Sequence, residues 1–488
     1  KKRVYNFTEG SKEQKDLLGG KGANLAEMTG IGLPVPRGFT ITTEACLEYL
    51  DSKKLLPELV KEIEEHIVKL ENETGKKFAD EENPLLVSVR SGSKFSMPGM
   101  MDTILNLGLN HQSVEIFARK TRNPVFAYDC YRRLIQMFGD VVKGVDKNIF
   151  EETLTQYKAA HGYSSDIEMK AEDWKEIIQQ FTTIYLNEVG ENFPQDPSKQ
   201  LYAAVEAVFT SWNNPRAVTY RRIHEISDKL GTAVNIQEMV FGNTGGNSGT
   251  GVAFTRNPAT GEAGVFGEFL LNAQGEDVVA GIRTPRPIQE LKQDQPAIYL
   301  QFEKICHQLE DHYQDMQDIE FTIEEGKLFI LQTRNGKRTA KAAFKIATQM
   351  AEDGVISKEE SLKRLTPSMI TQLLHPVFDE QMLAESQAIA KGLPASPGAA
   401  SGRVYFHAED AQSAHAAGQK VILLRTETSP EDIEGMVVSE AIVTSRGGMT
   451  SHAAVVARGM GVCCVVGCEQ LTINEKLKQA YDGTHTIN

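Results

Sequence analysis

A histidine that follows a glycine pair and two hydroxyl residues, and leads into an apolar run of helix formers, is placed for chemistry. Here Gly447-Gly448-Met449-Thr450-Ser451-His452 runs directly into Ala453-Ala454-Val455-Val456-Ala457-Arg458-Gly459. That pattern puts His452 in or just before the first turn of a helix. Unpaired amides and the positive dipole end stabilise a negative group attached to the ring. The same field disfavours imidazolium, so the ring stays neutral and nucleophilic near pH 7. Such a histidine can accept and carry a phosphoryl group, with Thr450 and Ser451 as hydrogen-bond donors to it. On spacing alone, a histidine that serves only as a local hydrogen-bonding group stays slightly ahead. Arg458 is a weaker candidate, with a solvent-facing role as its alternative.

A second set of residues suits a polyphosphate. Phe241-Gly242-Asn243-Thr244-Gly245-Gly246-Asn247-Ser248-Gly249-Thr250-Gly251 is rich in glycine and small polar residues between two expected strands. Its amides can close over phosphate oxygens, with Thr250 and Gly251 at its far end. A plain hairpin loop is an equal alternative. No Gly-Lys-Ser/Thr ends the run, so it is not a Walker sequence. In Asp318-Ile319-Glu320-Phe321 the two carboxylates share one face of a strand and are good oxygen ligands for Mg²⁺. The solvent face of an edge strand is the commoner reading of such a pattern. After the turn Glu324-Glu325-Gly326-Lys327, Gln332 and Arg334 also share a face. Whether it is the carboxylates' face depends on hairpin register, which the sequence leaves open.

These groups need elements to hold them. Strands are expected at 38–42, 85–89, 233–240, 251–255, 264–271 and 318–333. Leu59, Ile63, Ile67 and Leu70 recur at helical spacing, and helices dominate from 124 to 212, with Phe126, Tyr131, Leu134 and Phe138 along one face. The polar, glycine-poor stretch 340–391 reads as a helical connector. Beyond Pro394-Ala395-Ser396-Pro397-Gly398, strands at 402–406, 421–424, 441–443 and 462–466 alternate with loops and short helices.

With 488 residues, the chain exceeds what one core supports and predicts several domains. A hydrophobic fraction of 41%, a charged fraction of 24% and a net charge of -14 give a globular composition. They argue against a nucleic-acid or anionic-membrane partner. The six cysteines include Cys463 and Cys464 on an expected strand, where neighbours point to opposite faces and suit free thiols better than a metal. A reducing cytoplasm is the expected location. The chain opens on Lys1 and ends in an expected strand near Thr486, which together suggest a trimmed start and an incomplete last domain.

The 447–452 run resembles the phosphohistidine signature of the phosphoenolpyruvate-utilising enzymes. Met449, where other branches usually carry Arg, leans towards the pyruvate phosphate dikinase family. Leu17-Leu18-Gly19-Gly20-Lys21-Gly22-Ala23-Asn24-Leu25-Ala26-Glu27-Met28, Val89-Arg90-Ser91-Gly92 and Ser96-Met97-Pro98-Gly99-Met100-Met101-Asp102-Thr103 are similar to that family too. The resemblance runs from about Val4 to the last residues.

That resemblance implies an α+β and α/β multidomain chain. ATP-grasp nucleotide-binding lobes would span 1–340, with a helical insertion at about 113–212. A helical linker would span 341–390 and a swivelling phosphohistidine domain 391–488. It further implies that Lys21, Arg90, Arg132, Glu268, Glu276, Gln332, Arg334, Thr250 and Gly251 contact ATP, while Asp318 and Glu320 hold Mg²⁺. A turn lysine is the alternative for Lys21, and a structural helix residue for Arg132. His452 would take a pyrophosphoryl group from ATP, release AMP, and pass the terminal phosphoryl to phosphate, giving pyrophosphate. The phosphoryl left on His452 would go to pyruvate, making phosphoenolpyruvate on a C-terminal barrel beyond this chain. A phosphoenolpyruvate synthase, with water as acceptor, and a phosphorelay carrier are the alternatives. A monovalent cation (NH4+ or K+), a regulatory protein acting on Thr450 and a homodimer of the full-length chain complete the expectations. Hinges at 340–343 and 391–397 would let the last domain swivel, so His452 can stand far from Arg334 and Asp318.

Overall fold

Val4, Phe39, Ile41, Val87, Val89, Val234 and Ile236 are all fully buried, and their segments pair into one antiparallel sheet. In the computed structural model, which describes residues 1–279, 283–374 and 378–488, this sheet belongs to the first of two compact units, Lys1–Val240 and Phe241–Asn488. The side chains of residues 276, 279, 371, 372 and 380 also lie outside the description. The strands are β1 (Val4–Asn6), β2 (Gly38–Ile41), β3 (Val87–Gly92), β4 (Thr103–Leu107) and β5 (Ala233–Glu238), in the order β1-β2-β5-β3-β4. Pairing places Thr40 opposite Asn235 and Asn235 opposite Arg90, so one face is apolar and the other polar.

The helix Lys15–Gly30 crosses the polar face. It kinks at Gly19, whose φ of 69° is a left-handed value. A Cβ there would sit 1.9 Å from the Gly92 carbonyl oxygen. The same unit carries the expected helices. Leu59, Ile63 and Leu70 are buried along Pro57–Thr74, but the fourth buried position is His66, and Ile67 is only half-buried. Phe126, Tyr131, Leu134 and Phe138 are buried together as expected.

The second unit begins with another antiparallel sheet. Its strands are β6 (Gly249–Arg256), β7 (Ala263–Leu271), β8 (Arg286–Pro287), β9 (Gln317–Glu324) and β10 (Lys327–Asn335), ordered β10-β9-β6-β7-β8. One face packs on the helix Pro296–Tyr313, with the Phe302 and Phe321 rings 4.5 Å apart. The stretch read as a connector starts with the helix Ala340–Glu352, and this helix is no free spacer. Ala342, Ile346 and Met350 form a cluster with Phe254 and Met316.

The last sheet contains β11 (Leu393–Ser396), β12 (Arg403–Tyr405), β13 (Val421–Arg425), β14 (Ala441–Thr444) and β15 (Cys463–Val466), ordered β11-β15-β14-β13-β12. The strands β12 to β15 are parallel and linked by short helices, while β11 runs antiparallel at the edge, where its Pro394 is tolerated. A three-stranded sheet follows, of β16 (Thr472–Asn474), β17 (Gln479–Tyr481) and β18 (Thr486–Ile487). Among the described residues no helix is long and apolar enough to cross a membrane.

The kink at Gly19 gives a direct test. Gly19→Ala combines a left-handed φ with a backbone collision and should cost about 2–4 kcal/mol. Gly75→Ala has a similar φ of 67° but open space around it, and should cost only about 1 kcal/mol. Urea denaturation of the two variants, compared with the parent, checks the ranking.

Candidate functional site

Two loops at the carboxyl ends of neighbouring parallel strands meet at the histidine, the usual place for a site in such a sheet. Strand β13 leads to Thr428, and β14 leads through Gly447 and Gly448 to the helix His452–Met460. Gly447 has a φ of 91°, which turns the chain into the helix. Ser451 is the N-cap with extended backbone, so His452 occupies the first helical position, as expected. The Thr428 hydroxyl lies 3.0 Å from Nδ1 of His452. The other ring nitrogen, Nε2, is buried and makes no hydrogen bond among the described residues. Burial holds the ring's pKa down at about 4, against a smaller upward pull from Glu431. The Thr428 hydroxyl can accept from Nδ1–H, and in that tautomer of the neutral imidazole the lone pair lies on Nε2.

The loop before His452 is docked on the β6–β10 sheet. The Glu268 carboxylate on β7 accepts the Met449 N–H at 2.8 Å and the Thr450 hydroxyl at 3.1 Å. This contact requires a glycine at 448, because a Cβ there would lie 2.2 Å from both carboxylate oxygens. Burial raises the Glu268 pKa, while the bonds from Met449 and Thr450 work against the rise. Thr450 therefore donates to Glu268 in this arrangement, and the buried Ser451 hydroxyl makes no hydrogen bond among the described residues.

Arg458 corrects the solvent-facing alternative. It is 2% exposed, gives one guanidinium N–H to the Met449 carbonyl at 2.6 Å and another to that of Ala395 at 3.2 Å, and lies over the Phe254 ring. Burial lowers its pKa to about 10, with Cys464, Asp318 and Glu268 opposing. The 449–458 stretch touches the β6–β10 sheet through Glu268 and Phe254.

The fold settles the hairpin register that the sequence leaves open. Arg334 pairs with Asp318 and Gln332 with Glu320, after a bulge between Ile330 and Gln332. Glu320 pairs with Val252 and Val252 with Glu268, so all these side chains share one face. Glu268 stands two strands from Glu320, about 10 Å away by strand spacing. Arg334 Nε donates to Asp318 at 2.6 Å. Burial still raises the Asp318 pKa, against the pull of Arg334. The second Asp318 oxygen and the Gln332 side-chain oxygen are buried without hydrogen bonds among the described residues. Two orphaned oxygens beside Glu320 form an all-oxygen set of the kind Mg²⁺ takes.

The glycine loop spends several amides internally. Phe241 N–H goes to Glu324, Gly242 N–H to Gln274 and Gly245 N–H to Asn272. Open space surrounds Gly245 and Gly246. Thr250 is buried with its hydroxyl on the Phe321 carbonyl, and Gly251 lets the Phe321 ring pass where a Cβ would come within 2.5 Å. Glu276 lies on the short helix Gly275–Val279, but its side chain is outside the described residues.

In the first unit, Gly92 faces Lys21, and a Cβ added at Gly92 would lie 3.1 Å from that of Lys21. Arg90 shares the face two residues earlier. Lys21 and Arg90 are thus brought to the same side of one sheet. Arg132 belongs to the helical part. It pairs with Asp129, bonds Gln136 at 3.3 Å and stacks 4.9 Å from the Trp174 ring. Thr428 and the docking role of Glu268 were not read from the sequence, since Thr428 is distant in sequence from His452 and carries no motif of its own.

The lowered His452 pKa gives a measurable expectation. Between pH about 4 and 6.5 the unfolded chain binds this proton and the folded chain does not. The group therefore adds stability that is present above 6.5 and lost as the pH falls through about 4. Nitrogen NMR of the imidazole should show His452 neutral at pH 6, protonated on Nδ1 and titrating near 4. A titration near 6.5 would contradict this electrostatic picture.

Comparison with known proteins agrees with this geometry. Residues 15–63, 55–302 and 289–354 match the family model described as pyruvate phosphate dikinase, AMP/ATP-binding domain. Residues 417–484 match that of the PEP-utilising enzyme, mobile domain. The chain is 58% identical over its whole length to pyruvate, phosphate dikinase of Clostridium symbiosum, covering 56% of that protein. Identity to the enzyme of the same name from Rhizobium meliloti (strain 1021) is 55%, over 97% of this chain and 55% of the relative. For the chloroplastic pyruvate, phosphate dikinase 1 of Arabidopsis thaliana it is 54%, over 100% of this chain and 51% of the relative. The chain thus spans about half the length of the curated relatives it matches. It belongs to the pyruvate phosphate dikinase family.

Proposed function

We propose that this chain carries out the nucleotide half-reaction of a pyruvate phosphate dikinase, with His452 as phosphoryl acceptor. The observation that carries this is the pairing at His452: Nδ1 tied to Thr428, and Nε2 enclosed without a partner among the described residues at a helix start. In this reading the Nε2 lone pair attacks the β-phosphorus of ATP, the bond to the α–β bridging oxygen breaks, and AMP leaves. A phosphate oxygen then attacks the terminal phosphorus of the histidine-bound pyrophosphoryl group. Pyrophosphate departs and phosphohistidine remains, for delivery to pyruvate. The nucleotide-binding part is read as an ATP-grasp fold, followed by a linker from about 341 and a phosphohistidine domain from about 391.

The protein's work is positioning and charge neutralisation. Asp318, Glu320 and Gln332 would hold Mg²⁺, which when bound neutralises phosphate charge. Arg334 opposes Asp318 and brings positive charge to that face for phosphate oxygens. Within the first unit, Lys21 and Arg90 bring positive charge to one side of its sheet; within the second, the open Gly245-Gly246 stretch leaves backbone for a phosphate to approach. A low histidine pKa keeps the ring neutral across the physiological range, and in the tautomer that gives Nδ1–H to Thr428 this leaves Nε2 unprotonated.

Incubation with Mg-ATP labelled at the β-phosphorus should label one residue, His452, through an acid-labile bond. His452→Ala should take up nothing, and release of pyrophosphate, which takes the γ-phosphorus and leaves the β-label on the histidine, should require added phosphate. Acid-stable label, or label surviving in His452→Ala, would sink the assignment. Pyrophosphate-free turnover to phosphate would point instead to water as the acceptor.

Asp318→Ala and Arg334→Ala should each slow single-turnover labelling by about 3–4 kcal/mol of barrier while circular dichroism stays unchanged. Rates near that of the parent would mean that this hairpin face is only a solvated strand surface.

A further inference from the structure

Glu268 is a buried carboxylate with no cation bonded to it among the described residues, yet it sits at the junction of a sheet and the loop that ends in His452. It is 7% exposed and its two oxygens are used on residues 449 and 450. The loop is built to receive it. Gly448 has no side chain where the carboxylate stands, and the Met449 carbonyl on the far side is tied to Arg458. Arg458 in turn reaches the Ala395 carbonyl and lies 5.6 Å from the Phe254 ring centre. Phe254 is two residues along β6 from Val252, the cross-strand neighbour of Glu268.

We infer that Glu268 is a docking residue, whose carboxylate clamps residues 449 and 450 onto the sheet and so fixes where His452 stands. Hydrogen bonds to a charged acceptor are the stronger kind, and here both are shielded from water. Because the carboxylate accepts a backbone N–H and a hydroxyl and forms no covalent link, the clamp can release as a unit. A loop held this way can be pinned during loading of the histidine and freed afterwards. Glu268 acts through the loop, so it is a positioning residue.

The test is a distance measurement within the second unit. Spin labels at Leu300→Cys and Leu477→Cys, both exposed positions at 66% and 67%, report on the sheet lobe and the last domain, with Cys463→Ser removing the half-buried thiol. The parent should give one narrow distance population. Glu268→Ala and Gly448→Ala should each reduce that population about tenfold or more. Gly448→Ala leaves Glu268 in place but evicts its carboxylate from the loop. Glu268→Gln should retain most of it, because the amide oxygen still accepts the Met449 N–H and its NH2 can donate to Thr450.

Histidine labelling by Mg-ATP should follow the same order, with circular dichroism unchanged throughout. Parental distance distributions in both Glu268→Ala and Gly448→Ala would overturn the inference. So would slow labelling in Glu268→Ala beside parental distances and rate in Gly448→Ala, which would restrict Glu268 to the nucleotide. The inference rests on the proposed function only for the labelling readout. A failure of the parent itself to label would count against that function and leave the distance result standing.

Discussion

A carboxylate taken out of water must find donors, and Glu268 finds them on the loop that presents His452. Without those bonds the burial would cost several kcal/mol or force protonation. The arrangement of the second unit around the site follows from this. Gly448 must lack a side chain, Met449 must offer its N–H, and Thr450 must turn its hydroxyl to the sheet. With Arg458 holding the other side of Met449, the peptide is gripped by a charge of each sign. Neither charged group is left with nothing but hydrophobic surroundings.

The same geometry sets the chemistry at the histidine. His452 is the first residue of its helix, partly buried, and bonded through Nδ1 to a neutral hydroxyl. Burial outweighs the field of Glu431, so the ring stays uncharged, and in the tautomer that gives Nδ1–H to Thr428 its lone pair lies on Nε2. On the sheet below, the order Gln332–Glu320–Val252–Glu268 runs across four strands. One sheet thereby carries both the loop's anchor and, two strands away, the buried Asp318 carboxylate paired with the partly exposed Arg334. Glu268 and the Asp318–Glu320 carboxylates thus lie on one sheet face, where strand spacing fixes their separation.

Much of this was readable in the residues, for definable reasons. The helix start at His452 follows from a glycine pair, a hydroxyl N-cap and good helix formers, all local signals. Asp318 and Glu320 share a face because strand periodicity is two. Their match with Arg334 and Gln332 was not readable, since it depends on a bulge between Ile330 and Gln332 that shifts the register. Ile67 and His66 exchanged expected places because both lie near the edge of an apolar stripe, where packing decides. The solvent-facing alternative for Arg458 fails for a different reason. An arginine two turns along a helix normally reaches water, and only the fold shows two carbonyl oxygens waiting for it. Thr428 and the clamp at Glu268 are long-range pairings, which no local pattern encodes.

The proposed transfer depends on which nitrogen of His452 is available. Phosphorus NMR on protein with nitrogen-labelled histidine, after incubation with Mg-ATP, identifies the atom that carries the phosphoryl group. A phosphorus coupled to Nε2 of His452 is the predicted result. A phosphorus on Nδ1, the nitrogen held by Thr428, or on no histidine at all, would contradict it.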